Sequence, residues 1–327
     1  MPTVSVIVPN YNHARFLPKR IDCILGQSFQ DFELILLDDC STDESRSILS
    51  QYAGDPRVRI ELNEVNSGST FKQWNKGLRL ARGKYIWMAE SDDYAEERLL
   101  ERLVAVLEND SAVAFAYCRS WVVDEPGKLY GFEDSRLGHL DPHRWAADFC
   151  ADGHEECRNY FVYNNPAANA SSVVFHKAAY ERVGGVDEAM RTSGDWKLWA
   201  AMALTGKVAY LSEPLNYYRF HDATVRSQMS EALIALERLQ VVRWILDRVT
   251  PTKATLEKAC VDASHRWVPE VMSIQVPLGL KLKILKSAAA IDPHPIRRAV
   301  RPALLTVHRK FLRHWRSAGS SVPAAGS

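Results

Sequence analysis

The sequence predicts an α/β protein with a doubly wound sheet. Strands and helices alternate through the first 120 residues, two of the strands are unbroken apolar runs, and both runs end abruptly in carboxylates. The runs are Leu34-Ile35-Leu36-Leu37, ending in Asp38-Asp39, and Tyr85-Ile86-Trp87-Met88-Ala89, ending in Glu90-Ser91-Asp92-Asp93. Apolar runs of this length fit strands buried on both faces, as in a parallel sheet under helices. Ligands of such sheets bind beyond the carboxyl ends of the strands, so both clusters are expected to face one crevice. Carboxylates gathered there repel one another unless a cation joins them. A divalent metal holding a diphosphate is the simplest resolution. Asp-rich strand ends also serve as turns and helix caps, a reading that carries less weight for two clusters than for one.

The elements follow in order. Val4 to Pro9 reads as the first strand, Asn10-Tyr11-Asn12-His13 as a loop, and residues 14–26 as a helix with Phe16, Leu17, Ile21, Ile24 and Leu25 on its apolar side. Phe32 to Leu37 is the second strand. Ser41 or Thr42 can cap the helix that follows to about Tyr52, with Asp43 and Glu44 in its positive first turn. A short strand over 58–62, the loop Asn66-Ser67-Gly68-Ser69, a helix over 70–81 and the strand 85–89 come next. A helix over 96–108 and a strand over 112–117 complete the alternation. Residues 118–165 have scattered aromatics and no clear period beyond a turn at Asp124-Glu125-Pro126-Gly127-Lys128. Later, 170–175 reads as a strand, 176–183 as a helix ended by Gly184-Gly185, 196–204 as a helix, and 208–211 and 215–220 as two strands. Helices are expected over 230–249 and 253–267, and basic segments broken by prolines follow. The small-residue stretch 317–327 is expected to be disordered.

Composition is that of an ordinary soluble globular protein, with 25% charged and 46% hydrophobic residues among 327. Six cysteines without a CxxC pair or framework spacing point to a reducing, cytoplasmic setting. The chain starts almost directly on a strand, with no basic and apolar leader pattern, and no run of apolar residues is long enough to span a bilayer. From Glu270 onward ten lysines and arginines face only Glu270 and Asp292, although the whole chain has a net charge of +1. Such a basic end suits an anionic partner. Leu278, Leu280, Leu282, Ile284 and Leu285 lie among Lys281, Lys283 and Lys286, and a second mixture of this kind runs over 301–313. Helices of that composition can lie at the inner face of an anionic membrane or cap the catalytic region with the basic face in water.

Four short stretches are spaced like parts of one machine: Pro9-Asn10-Tyr11-Asn12, Asp38-Asp39, Asp92-Asp93 and Ser193-Gly194-Asp195-Trp196, with Asn66-Ser67-Gly68 beside them. Together with Gly184-Gly185-Val186-Asp187-Glu188 and Tyr218-Arg219-Phe220-His221, this order resembles the family 2 glycosyltransferases. The resemblance covers about residues 3–225. No one motif is specific, but their joint order is. It implies the GT-A fold: a Rossmann-like, mixed but mostly parallel sheet flanked by helices, with the remainder a helical C-terminal extension. It divides the chain into a catalytic domain over 1–225 (1–117 for the nucleotide-sugar, 118–225 for the acceptor), a basic helical extension over 226–316 and the tail 317–327.

The resemblance also implies roles. Asp39 matches the residue that accepts a hydrogen bond from the base, usually uracil N3–H, and Tyr11 the aromatic that lies against the base. Pro9, Asn66 and Gly68 belong to the same nucleotide-binding edge. Asp92 would meet the ribose or metal-bound water, and Asp93 would ligate Mg²⁺ or Mn²⁺. Asp195 matches the catalytic base of an inverting transfer. Arg219 and His221 match the motif that approaches the diphosphate. Three departures stand out. Glu90 replaces the more frequent Asp, and reads equally as a ligand or a structural residue. Gly194 stands where the family often has Glu. Gln73-Trp74-Asn75 stands where it often has Ala-Arg-Asn, which leaves Lys72 without an assignment.

The implied reaction is transfer of a sugar from a nucleotide-diphospho-sugar to a hydroxyl of a carbohydrate or lipid-linked acceptor, in bacterial surface polysaccharide or glycolipid synthesis. Two other readings compete. A sugar-nucleotide pyrophosphorylase would want a Gly-rich, basic phosphate loop after the first strand, and Pro9-Asn10-Tyr11-Asn12-His13 is not one. A non-catalytic binding module would not need Asp39, Asp92, Asp93 and Asp195 together. No nucleic acid is expected as a partner.

Overall fold

A computed structural model describes residues 1–138, 140–221, 229–292 and 294–295. Most of the basic cluster after 295, its apolar companions in 301–313 and the tail 317–327 lie outside the described residues. The chain divides into two compact units, one formed by Met1–Met229 with Trp244–Pro251, the other by Ser230–Arg243 with the chain from Thr252 on.

The first unit is built on one mixed sheet. Its strands are β1 Val4–Asn10, β2 Phe32–Asp38, β3 Val58–Leu62, β4 Tyr85–Met88, β5 Tyr94–Ala95, β6 Val113–Val123, β7 Leu129–Phe132, β8 Phe149–Asp152, β9 Val173–His176 and β10 Lys207–Arg219. The order is β3-β2-β1-β4-β9-β6-β10-β5, with β7 added on β6 and β8 on β10. The strands β1 to β4 run parallel, and β1, β2 and β4 are buried along their whole length. That is the burial their largely apolar sequence predicts. Between them run α1 Leu17–Leu25, α2 Ser45–Ser50, α3 Thr70–Leu80 and α4 Leu99–Asn109. Beyond them lie α5 Gly153–Glu156, α6 Lys177–Arg182 and α7 Gly194–Ala203.

Two features differ from the sequence expectation. First, β9 inserts between β4 and β6, antiparallel to both, so the fifth strand of the alternating series does not lie beside the fourth. Second, 208–211 and 215–220 form one long strand, β10, whose register against β6 shifts on either side of Pro214. Proline removes one ladder donor, and a bulge absorbs the loss without ending the strand. The irregular stretch 118–165 supplies β7, β8 and short helical turns.

In the second unit, α9 Lys253–Met272 and α10 Leu278–Ala289 pack on each other. The preceding helix, α8 Glu231–Leu246, begins in this unit. Thr252 caps α9 by accepting from Thr255 N at 3.1 Å, and Trp267, Ile284 and Ala288 are buried. Among the described residues no helix is long and apolar enough to cross a membrane. All six cysteines are free thiols.

Candidate active site

The carboxyl ends of β1, β2 and β4 form one edge, because register pairs Asn10 with Asp38 and Ile7 with Met88. Of the first acidic pair, Asp38 turns inward. It is fully buried and accepts from Asn10 Nδ2 at 3.1 Å, Ser41 N at 3.0 Å and Arg46 Nε at 2.9 Å. Asp39 lies one residue beyond the strand. Its carboxylate accepts from Asn63 Nδ2, from Ser67 N at 2.8 Å and Oγ at 2.7 Å, and from Gln73 Nε2 at 2.8 Å. Asn66 Nδ2 donates to the Asp39 carbonyl, and Asn66 Oδ1 accepts from Gly68 N, which closes the turn that Gly68 allows with φ of 67°. The loop predicted beside this edge therefore wraps Asp39. Tyr11 is 47% exposed at the rim, while Pro9 is buried in β1. Asn12 and Cys40 hold left-handed backbone, with φ of 57° and 63°. Among the described non-glycine residues only these two do so, and both flank the crevice.

The second cluster separates in the same way. Asp92 Oδ2 lies 3.0 Å from His221 Nε2, and His13 packs beside them with its ring centroid 5.4 Å from that of His221. Ligand atoms of His13, Asp92 and His221 all fall within 4.8 Å of one another. Burial pushes the Asp92 carboxyl up, but the His221 hydrogen bond and the charges of His13 and His221 outweigh it and hold it below the usual carboxylate range. Burial likewise holds His13 below the usual histidine range. Asp93 faces the other way. It is 3% exposed, and it accepts from Arg219 N at 2.8 Å, Asn169 Nδ2 at 2.9 Å and Ser171 Oγ at 2.7 Å. Burial and the Asp92 charge push it up to about 6. The oxygens of Asp93, the expected metal ligand, are thus bonded inside the protein, while the Asp92 side chain keeps 16% of its surface exposed.

Arg219 is also engaged within the protein. Its guanidinium was expected to approach a diphosphate. It donates from Nε to the Asp92 carbonyl at 2.8 Å and from one terminal nitrogen to the carbonyls of Asp124 and Glu125. With 5% of its surface exposed, it braces the acidic loop against the turn after β6. Glu90 accepts from Trp74 Nε1 at 2.8 Å, and burial and the neighbouring Asp92 charge push its carboxyl up to about 8. Lys72 reaches the Ser67 carbonyl at 3.4 Å.

Asp195 stands in the first turn of α7, and Asn165 Nδ2 donates to its Oδ2 at 2.9 Å. Its neighbour Gly194 has a packing reason. A Cβ there would lie 2.6 Å from Cε2 of Phe71. Phe71, Gln73 and Trp74 all stand in the first turns of α3. Through them one helix touches Gly194 beside Asp195, Asp39, and Glu90 beside Asp92. Sequence reasoning missed this, and it missed His13, which it assigned to a loop. The available signal was the three departures themselves. Gln73 and Trp74 bond to the acidic clusters, Glu90 is Trp74's partner, and Gly194 makes room for Phe71.

The mixed, mostly parallel sheet flanked by helices is that of the GT-A glycosyltransferases, and the comparisons agree. The chain belongs to glycosyl transferase family 2, whose sequence model matches residues 5–182. It is 27% identical over 242 residues to the glycosyltransferase alr2836 of Nostoc, covering 72% of this chain and 69% of that one. It is 38% identical over 116 residues to the putative teichuronic acid biosynthesis glycosyltransferase TuaG of Bacillus subtilis, covering 35% of this chain and 46% of TuaG. Among solved structures it resembles residues 1–349 of S. aureus TarS in complex with UDP-GlcNAc, with a TM-score of 0.64, 17% identity and coverage of 89% and 82%. It also resembles the mannosyltransferase PcManGT of Pyrobaculum calidifontis in complex with GDP-Man and Mn²⁺, with a TM-score of 0.55, 17% identity and coverage of 97% and 83%. The protein is thus a glycosyltransferase.

Proposed function

We propose that the protein transfers a sugar with inversion from a UDP-sugar to a hydroxyl of a saccharide or lipid-linked acceptor, in the synthesis of a bacterial surface polysaccharide. The observation that carries this reading is the single helix α3, which ties Asp39, Glu90 beside Asp92, and Gly194 beside Asp195 to one frame. Binding groups for base, diphosphate and acceptor must hold fixed distances from one another for such a transfer. The UDP-GlcNAc bound to TarS supports a uridine donor, and TuaG's named role supports a polysaccharide product.

In this mechanism Asp39 exchanges one of its partners among Asn63, Ser67 and Gln73 for the N–H of the base, Tyr11 covers the base's face, and Asn66 and Gly68 shape the turn beneath it. Asp92 and His221 are the residues that would hold a divalent cation, Mg²⁺ or Mn²⁺. Ligands at right angles about 2.1 Å from a cation lie about 3.0 Å apart, and the Asp92–His221 separation is 3.0 Å. The chemistry such a cation supplies is charge neutralisation on the leaving diphosphate. Asp195 takes the proton of the acceptor hydroxyl as its oxygen attacks the anomeric carbon opposite the diphosphate. Asn165 fixes the orientation of that carboxylate. Residues 1–117 thereby serve the donor, joined by His221 from the part over 118–225 that serves the acceptor.

Thermal unfolding in the presence of UDP-, GDP- and dTDP-sugars, with Mn²⁺ and with EDTA, tests the proposal. UDP-sugars should raise the melting temperature most, and EDTA should remove most of the gain. Equal shifts with and without metal would count against the cation, and no shift with any nucleotide-sugar would sink the donor assignment.

A further inference from the structure

We propose that His13 is a third protein ligand of the cation. The centre then has two imidazoles and one carboxylate, binds Mn²⁺ before any nucleotide arrives, and selects it over Mg²⁺. The inference rests on the assignment of Asp92 and His221 to the cation and goes beyond it in donor number, binding order and metal choice.

Geometry is the first support. Donor atoms around an octahedral cation lie between about 3.0 Å apart for neighbouring positions and about 4.2 Å for opposite ones. The His221–Asp92 pair is already at the neighbouring distance, and the donors of His13, Asp92 and His221 all lie within 4.8 Å of one another, so closing on a cation asks for a shift of at most about 0.6 Å. The second support is the outer partner. His13 Nδ1 sits 2.8 Å from Oγ of Ser91, a buried residue. Metal-binding histidines characteristically give their other ring N–H to an oxygen, which fixes the tautomer and leaves the remaining nitrogen its lone pair. A proton on Nδ1 given to Ser91 would leave Nε2 as the ligand.

The third support is the backbone that carries the ring. His13 follows Asn12, whose left-handed conformation is pinned on both sides. Asn12 N donates to Ser41 Oγ at 2.9 Å, and Asn12 Oδ1 accepts from Thr42 N at 2.8 Å. On the far side of His13, Ala14 N donates to Asp43 Oδ2 at 3.0 Å. A clamped loop presents His13 in one place, and Phe16 packs against both imidazole rings. The donor set then decides the metal. Mg²⁺ prefers oxygen ligands and gives up its waters reluctantly, whereas imidazole nitrogens suit first-row transition cations.

The test uses the full-length protein stripped with chelator, without nucleotide, and follows free Mn²⁺ by electron paramagnetic resonance. The wild type should take up one Mn²⁺ per chain and keep it against about a hundredfold excess of Mg²⁺. His13→Asn keeps a donor opposite Ser91 and lacks the second nitrogen. It should weaken Mn²⁺ binding about tenfold or more and let Mg²⁺ compete, and circular dichroism should report an intact fold. His13→Gln is the second variant, with the same expectation. Wild-type Mn²⁺ affinity in both variants, or uptake by the wild type only when UDP is added, overturns the inference. If Asp92→Asn and His221→Gln abolish uptake while the His13 variants do not, His13 alone is misassigned. If none of the four changes it, the cation site itself is elsewhere and the inference falls with it.

Discussion

Replacing Gly194 by alanine is a one-methyl test of the packing beside Asp195. The added Cβ would meet Phe71 Cε2 at 2.6 Å and two further ring carbons at 2.9 Å. Unstrained carbon contacts lie at about 3.5–4.0 Å, so the ring or α7 must shift by about an ångström. Phe71 is 6% exposed and sits edge-on against Trp74 at 5.5 Å, so it has little room to turn away. Overpacking of this kind costs about 1–3 kcal/mol, against which the better helix propensity of alanine returns up to about 1 kcal/mol. A net loss of about 1–2 kcal/mol should appear in urea unfolding. The transfer rate should fall further than the stability does, because a displacement of about 1 Å at a catalytic group can cost about a hundredfold. Phe71→Leu in the same chain should restore both, giving a coupling of about 1–3 kcal/mol. The reasoning fails if Gly194→Ala matches wild type in both measurements, or if its cost is unchanged in the Phe71→Leu background.

Four further outcomes are expected. Asp195→Asn should lower transfer by about 10²–10⁴-fold with UDP binding intact, and loss of UDP binding in a folded protein would move Asp195 to the donor side. Asp39→Asn should weaken UDP and leave Mn²⁺ uptake unchanged; loss of both would mean that the residue supports the whole loop. Glu33 gives a pH dependence. Burial raises its pKa, but bonds from Ser5 and Arg82 overcome this and hold it below 4.5. A depressed carboxyl contributes stability above its unfolded value and loses it as pH falls through the folded one. Glu33→Gln should therefore cost about 1–3 kcal/mol at pH 7 and progressively less toward pH 3, and a cost independent of pH would refute the assignment. Finally, α10 exposes Leu278 and Leu282 beside Lys281, Lys283 and Lys286. The full chain should bind anionic vesicles at low salt, at about 1 kcal/mol per basic residue near the surface, and a chain that ignores them would leave α10 a structural helix.

The parallel half of the sheet was legible because its signal is local. β4 and the Leu34–Leu37 run of β2 are apolar without interruption and β1 is so but for Ser5 and Asn10, the pattern of strands buried on both faces. The acidic edge followed from the same runs. Which member of each acidic pair lines the crevice did not follow. Asp38 and Asp93 are turned inward by Ser41, Asn169, Ser171 and the backbone of Arg219, some of them more than seventy residues away. Nothing in the neighbouring sequence distinguishes Asp92 from Asp93, since β4 ends at Met88 and strand alternation no longer applies. Arg219 shows a similar dependence on distant partners. A cation beside a site suggests an anionic ligand, but here three backbone carbonyls claim it. The insertion of β9 and the continuity of β10 through Pro214 are long-range pairings that no local pattern encodes.

The attachment of Phe71, Gln73 and Trp74 to three separate parts of the site has a consequence for how such an enzyme can be altered. Phe71 leaves room only for glycine at 194, Trp74 donates to the longer Glu90 carboxylate, and Gln73 is bonded to Asp39. Each motif is therefore fitted to a residue on α3 as much as to substrate. Exchanging one acidic motif for a relative's would strand its helix partner, a buried indole N–H or an ill-fitting ring. Recombination that respects this protein's construction would move residues 70–75 with whichever motif is exchanged, so the heritable unit of specificity runs through a helix that need not touch the sugar.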